Sequence, residues 1–557
     1  MTKRKKEYEE DKDKENSESA AHKRSRIINS IEKKHKFLTL KDSEDLLYFN
    51  PSDGQWHDGD VFLKQLVDQE TTIKVLPSFG KGGEITSSFE FTTSMFREIK
   101  EIIKIHSYAD PKEFVSPPEW INLKNGALNV SKTEFIPREP KPDHKKEESE
   151  IKALKEEEKK KLKEVKETPG RSEADVVKEE IEKEYLKRIR EKRNTINKKE
   201  EEWQKTQTEK FAKLCFTSSI PVRYNPTATC PRIDTFFKSL ELSEDITEGI
   251  MELFGYCLLK SYPIKKMFLF VGPHDTAKST IMSLLEAMLG IDNYSSLSLD
   301  ALQQDHFEKK KLHRMHANIS GELANRFIKD TSLLKELLGS DSVTARLMFS
   351  QKKFNFWNYA KLIFLANQIP ATYETDNDFF PKVLIFEFTK QFKEGEERTI
   401  RKGELMAELT TEGEMSGLLN KAVMSLQELL KRGKFKTTKS EQKNKELYLI
   451  KSNPFRYYID NVLWFNNGVD QIDNPDQNLV RAYKQDVYNN FVTFCRRYNI
   501  TGWTDNKFFR LMKKYAKEEG ISEKRDTEGV WYYAGVSIRN LFPETENSCS
   551  DFDIDNL

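Results

Sequence analysis

Apolar residues along this chain fall into short runs and stripes whose spacing sets the expected elements. Phe37–Asp42 and Leu46–Phe49, followed by the turn Asn50–Gly54 and Trp56, read as a β-hairpin. Helical stripes follow at Val61–Gln69 and Ser94–His106, and two short strands about Asn125-Gly126 within Trp120–Val130. Residues 27–140 therefore read as one small α+β unit. Ile220–Tyr224 is a strand candidate, and Pro231–Leu240 and Ile246–Lys260 are predicted helices of a segment spanning 209–265. Met267–Val271 is a continuous apolar run, and Ile281, Leu284, Leu285, Met288 and Leu289 then share one helical face. Beyond it come a strand within Met315–Glu322, a helix at Thr331–Leu338 and a hairpin within Ser342–Phe354. A buried strand at Lys361–Ala366 and another at Val383–Phe388 complete the run. Strands alternating with helices predict a largely parallel α/β sheet over 266–394.

Two further segments read differently. Residues 141–208 are dominated by charge, yet Ile151, Leu154, Val177, Ile181, Tyr185 and Ile189 recur at helical spacing, and Pro169-Gly170 divides them. An antiparallel helical hairpin of coiled-coil type is expected, with a disordered charged linker as the competing reading. Residues 395–452 are helical and charged, and read as a connector or lid. Residues 453–542 show three helices, at Phe455–Leu463, Ala482–Tyr498 and Asp505–Glu519. Strands at Ile521–Arg525 and Val530–Val536 follow, about the turn Asp526–Gly529. Three helices and a hairpin wing predict a winged helix. The polar ends, 1–26 and the acidic 543–557, read as disordered tails. The basic runs Lys3–Lys6 and His22–Arg26 leave a nuclear signal or a nucleic-acid arm open.

Composition narrows this only in part. The 557 residues carry 92 Lys and Arg against 91 Asp and Glu, so net charge predicts no partner and local patches must. Cys215, Cys230, Cys257, Cys495 and Cys549 form no CxxC pair, which argues against structural zinc and for a reducing compartment. No apolar run approaches the roughly 20 residues a membrane span needs. The expected protein is soluble and intracellular, in the cytoplasm, or in the nucleus where the host is eukaryotic.

Candidate chemistry gathers where the apolar run Met267–Val271 meets its helix. The intervening Gly272, Pro273, His274, Asp275, Thr276, Ala277, Lys278, Ser279 and Thr280 form a Walker A phosphate loop, with Ala277 in place of the usual second glycine. Lys278 is placed to reach the β and γ phosphates of ATP, and the Ser279 hydroxyl to ligate Mg²⁺. Ala277 suits this loop if its φ stays negative, because a left-handed alanine is penalised by its Cβ. Glu322, at a strand end, is the candidate for holding Mg²⁺ and polarising the attacking water; Asn367, at the tip of the next strand, is the candidate γ-phosphate sensor. Arg346, Lys352 and Lys353 make the hairpin between them basic. Lys507, Arg510, Lys513, Lys514 and Lys517 lie on one helix, a candidate contact with duplex DNA.

This order of motifs resembles superfamily 3 helicases, of the phage/plasmid primase-helicase type also found in large DNA viruses and archaeal mobile elements. Ile121–Val130, Tyr224-Asn-Pro with Cys230-Pro-Arg, and Leu253–Leu259 are similar to that family's pre-helicase region. The resemblance covers about 27–140, 209–390 and the C-terminal winged helix, leaving 141–208 as an insertion. It implies an AAA+-like core in a hexameric ring, ATP bound between subunits, and movement 3′ to 5′ along one DNA strand. It places the strand contact within Lys335–Lys353. Where the family usually has Arg-Arg after an aromatic pair, this chain has Pro381-Lys382 after Phe379-Phe380, so Lys382 stands in for the arginine finger without its planar fork. No paired aspartates suggest priming, so a separate primase or initiator is the implied partner. A DNA-packaging or segregating motor, and a catalytically degenerate DNA-binding ring, are the other readings.

Overall fold

The computed structural model describes residues 20–41, 44–71, 93–166, 171–304, 308–321, 336–338, 342–346, 353–369, 380–392, 402–436, 441–465, 481–498, 500 and 503–538. It is a mixed α/β chain. The first helix, Ala20–Lys34, begins inside the stretch read as a tail, because Ile27, Ile28 and Ile31 bury one face against Leu63, Val67, Ile99 and Ile103. Those partners sit on helices Gly59–Thr71 and Thr93–His106. The three helices cover a four-stranded sheet of Gln55–Asp58, Leu46–Asn50, Phe37–Leu40 and Tyr108–Ala109, in that order.

A second small sheet joins this unit to the main body. Trp120–Leu123, Gly126–Asn129 and Glu134–Pro137 pair antiparallel. Alternation then splits their side chains between two cores. Ile121, Leu123 and Leu128 enter the main core, while Ala127 packs with Phe49, Trp56 and Phe211 of the N-terminal unit. Ile220–Tyr224 is not a strand. It runs beside this sheet through one bridge, Leu123 to Ile220, and through the Asn125 amide, which donates to Tyr224 O at 2.9 Å.

The charged segment forms two helices, Lys145–Lys166 and the 41-residue Arg171–Phe211. Their pairing is antiparallel: Glu147 meets Lys199 at 2.6 Å, Glu150 meets Lys192 at 2.5 Å, and Lys161 lies over the Tyr185 ring. Leu154, Tyr185 and Ile189 form their own small core. The long helix is anchored at its end by buried Phe211 and by Trp203, whose indole N–H donates to Glu139 O at 3.1 Å. Pro169-Gly170 lies outside the described residues.

The main body is built on five parallel strands: β1 (Met267–Val271), β2 (Tyr294–Ser295), β3 (Ala317–Ser320), β4 (Lys361–Ala366) and β5 (Val383–Glu387). Their spatial order is β5–β1–β4–β3–β2. Every side chain of β1, β3 and β4 is buried, as expected of a parallel sheet covered on both faces. Helices Lys278–Leu289, Glu244–Leu258 and Glu412–Arg432 supply much of the cover. The last of these corrects the reading of 395–452 as a connector. Leu418, Leu419, Ala422, Val423, Leu426 and Leu429 make Glu412–Arg432 part of the central core. Both oxygens of its Glu414 accept backbone N–H groups, from Arg232 at 3.2 Å and Ile233 at 3.1 Å, at the start of helix Pro231–Ser239.

The C-terminal unit has a separate core, in which Phe455, Tyr458, Phe491, Phe494, Phe508 and Met512 bring three helices together. These are Pro454–Val462, Lys484–Arg497 and Asp505–Glu518. Three short strands, Arg481–Tyr483, Trp531–Ala534 and Glu523–Arg525, form an antiparallel sheet in that order, and Leu463–Phe465 pairs with Val536–Ile538.

Helices Glu244–Leu258 and Glu412–Arg432 approach through Gly255, where a Cβ would fall on the backbone oxygen of Ala422 and within 2.8 Å of Leu426 Cβ. Gly255→Ala should therefore lower stability by about 1–3 kcal/mol. Gly403→Ala, where nothing lies within 4 Å, should be neutral or stabilising. Denaturant midpoints of the two variants provide the comparison.

Candidate functional site

The carboxyl ends of β1 and β4 lie side by side, with Ala366 paired to Val271. Beyond them the chain leaves the sheet, and in an open parallel sheet this edge is where ligands bind. Gly272 makes the first turn, its N–H donating to Ala366 O at 3.2 Å. A Cβ on Gly272 would fall on the backbone oxygen of Phe388, so only glycine passes between β1 and the exit from β5. Pro273, His274 and Asp275 are exposed, Thr276 is buried, and helix Lys278–Leu289 starts at once. Ser279 is exposed and Thr280 buried on its first turn.

Lys278 is held inside this loop, only 8% exposed. Its ammonium donates to Gly272 O at 2.6 Å, Pro273 O at 2.5 Å and Thr276 Oγ1 at 2.9 Å. Burial lowers its pKa and the carboxylate of Asp275 partly offsets this. The exit from β5 clamps the loop from outside. Phe392 N donates to Asp275 O at 2.8 Å, and the Gln391 amide to His274 O at 3.2 Å. Asn367, exposed at the tip of β4, donates from Nδ2 to His274 Nε2 at 3.3 Å. The structure thus joins the loop and Asn367 through His274. The Gln391–Phe392 clamp was not legible in the sequence, since only the folded exit of β5 brings it there.

The expectation for Ala277 is overturned. Its φ is +61° and ψ +9°, the left-handed region, and Asp275 has φ +59°. The turn into the helix demands the backbone that the usual glycine adopts, and the alanine takes it at a cost of about 1–2 kcal/mol.

Glu322 lies outside the described residues, two positions past Ser320, where β3 ends level with Phe364 of β4. Lys382 is not brought to the loop. It lies in the turn Phe380–Lys382 before β5, whose first residue pairs with Met267. That is the amino end of the sheet, about 13 Å of strand away from Val271. The basic hairpin is present: Ser342–Arg346 pairs with Lys353–Trp357, and Arg346 meets Lys353 on the last described rung. Val343, Ala345 and Phe356 bury one face of it, and Trp357 on the other is 73% exposed. Lys352 lies outside the described residues. Among those described, no cluster of His, Cys, Asp and Glu suits a metal ion, and no helix is long and apolar enough to cross a membrane.

On helix Asp505–Glu518 the residues Lys507, Arg510, Lys513, Lys514 and Lys517 are all exposed, while Phe508, Met512 and Ala516 are buried. At 3.6 residues per turn the five cations span roughly a third of the circumference. Lys507 lies 4.1 Å over the Trp503 ring, and Lys514 is 3.8 Å from Glu518.

Among known proteins, a sequence family described as of unknown function (DUF5906) matches residues 270–378, from β1 to beyond β4. No curated protein matches. Among solved structures, the A-form apo structure of the NrS-1 C-terminal region is similar at 13% identity and TM-score 0.29, over 53% of this chain and 76% of that one. A second A-form apo structure of that region, described as residues 305–718, covers 57% of this chain and 77% of its own at 13% identity and TM-score 0.29. A third apo structure stands at 12% identity and TM-score 0.26, covering 53% and 76%. At these values the function rests on the residues themselves.

Ala277→Gly should relieve the left-handed strain and raise stability by about 1 kcal/mol. Thermal melts check this; an unchanged or lower melting temperature would mean the alanine backbone is unstrained.

Proposed function

We propose that this chain is an ATP-driven DNA helicase working as a ring, moving 3′ to 5′ on one strand for replication of a virus, plasmid or other mobile element. The observation carrying this reading is the loop Gly272–Ser279 at the carboxyl end of β1, inside a parallel sheet of order β5–β1–β4–β3–β2, with Asn367 of β4 linked to it. That arrangement supports the AAA+-like P-loop core that the superfamily 3 resemblance implies. The donor set suits ATP and Mg²⁺: a loop lysine, hydroxyls at Ser279 and Thr280, and a glycine turn with no room for a side chain. Lys278 would hold the β and γ phosphates and Ser279 the metal; ATP supplies the phosphoryl group. Asn367, positioned by His274, would orient the water, and Glu322 would take its proton. Lys382, far from its own loop, would act only on the site of a neighbouring subunit. The hairpin with Arg346, Lys352 and Lys353 would follow the strand, and the C-terminal winged helix would hold duplex DNA through phosphates.

One observation favours a second reading. The strained Ala277, together with a lysine where the family has an arginine pair, suits a degenerate ring that binds DNA without turnover. ATP turnover separates the two, and a forked-duplex unwinding assay separates a helicase from a packaging or segregating motor.

Lys278→Ala should reduce ATP hydrolysis to background. Glu322→Gln should keep nucleotide binding and slow turnover by about 10²-fold or more; wild-type turnover in this variant would remove Glu322 from the chemistry. Replacing Lys352 and Lys353 together by Ala should weaken single-strand binding and flatten its salt dependence by about one to two units of slope. An unchanged slope would place these lysines away from the strand.

A further inference from the structure

The C-terminal sheet has a face that its core does not use. Ala482 and Tyr533 bury one face, and on the opposite one Tyr483 and Tyr532 are direct cross-strand partners. Their rings meet edge to face, 6.2 Å apart at 73°. The Arg481 guanidinium stands 5.4 Å from the Tyr483 ring and 5.6 Å from that of Tyr532. Lys524 pairs with Tyr532 from the other side and is exposed. The platform is held rigid from below, because Asp526 accepts the Tyr483 hydroxyl at 3.1 Å and the backbone N–H groups of Glu528 and Val530. Trp531, with Arg525 at 4.4 Å and Lys484 at 4.9 Å, lies on the other face beside Tyr533 and is not part of this platform.

We propose that this face is a stacking platform for the bases of single-stranded nucleic acid. Aromatic rings and a planar guanidinium accept any base, and neighbouring cations take the phosphates. A duplex hides its base faces within its own stack, so the ligand is single-stranded. Charge agrees, since residues 481–538 carry eleven Lys and Arg against seven Asp and Glu. The site differs from the basic face of helix Asp505–Glu518, which has phosphate-binding cations, and it does not depend on ATP turnover.

The test uses the full chain without nucleotide, and fluorescence anisotropy with labelled oligo-dT or an abasic strand of equal length. Oligo-dT should bind at least about fivefold more tightly, the least that one stacked base contributes. Tyr483→Ala with Tyr532→Ala should bring the ratio towards one, and the paired Phe variants should keep it. Equal binding of the two wild-type strands, or a ratio unchanged in a folded double-Ala variant, overturns the proposal. Should the double-Ala chain fail to fold by circular dichroism, photocrosslinking of the wild type to an iodouracil oligonucleotide decides. Crosslinks at Arg481, Tyr483, Lys524 or Tyr532 support the platform, and crosslinks only elsewhere overturn it.

Discussion

The constraint on which this structure depends is a parallel sheet with no wet face. Each residue of β1 and β4 is buried, so neither strand has a side on which to present a polar group to water. Chemistry is confined to the strand ends, and the two ends are finished differently. At the amino end, Lys361 opens β4 wholly buried, its ammonium donating to Leu259 O and to Ser261 O at 2.9 Å, just past the end of helix Glu244–Leu258. Burial pushes its pKa down to about 7. Those carbonyls would otherwise lack partners, so the lysine seals that end. The carboxyl end stays open, and there the glycine turn, the loop lysine and Asn367 come together.

Much of this was legible where one physical demand dominates a segment. Lys361–Ala366 reads as a strand because Leu362–Ala366 is apolar without interruption and bounded by Lys361 and Asn367. The basic hairpin reads as one because Val343 and Ala345 alternate with polar positions, and its second strand, Lys353–Trp357, runs past the expected end at Phe354. The helical hairpin was legible despite its charge because Leu154, Tyr185 and Ile189 keep a narrow stripe. Glu412–Arg432 is misread through its charged residues, although Leu418, Ala422, Leu426 and Leu429 carry a stripe at i, i+4, i+8 and i+11. Ile220–Tyr224 has strand composition, yet Pro221 removes a ladder donor and the sheet beside it offers one bridge.

The candidate site was legible in its residues and less so in its conformation. Motif spacing located Gly272–Thr280 and Asn367, since those depend on the sequence of one loop and one strand. No spacing reveals that Phe388 closes over Gly272, that Gln391 and Phe392 hold the loop, or that His274 meets Asn367. Those contacts arise between segments roughly a hundred residues apart, through the register of β1, β4 and β5. Ala277 shows the limit differently: the substitution is plain in the sequence, while its left-handed backbone is set by the turn into the helix.

The charged hairpin has a hydrodynamic consequence. Forty-one residues of helix extend about 60 Å. Its apolar contacts away from the anchored end are with its partner helix alone among the described residues. Such a rod adds drag out of proportion to its mass. The 65.2 kDa chain should therefore sediment slowly and elute early from a sizing column, imitating a larger particle. Elution volume would overstate the number of subunits in any ring, and light scattering, which reads mass without shape, would give the smaller and correct count.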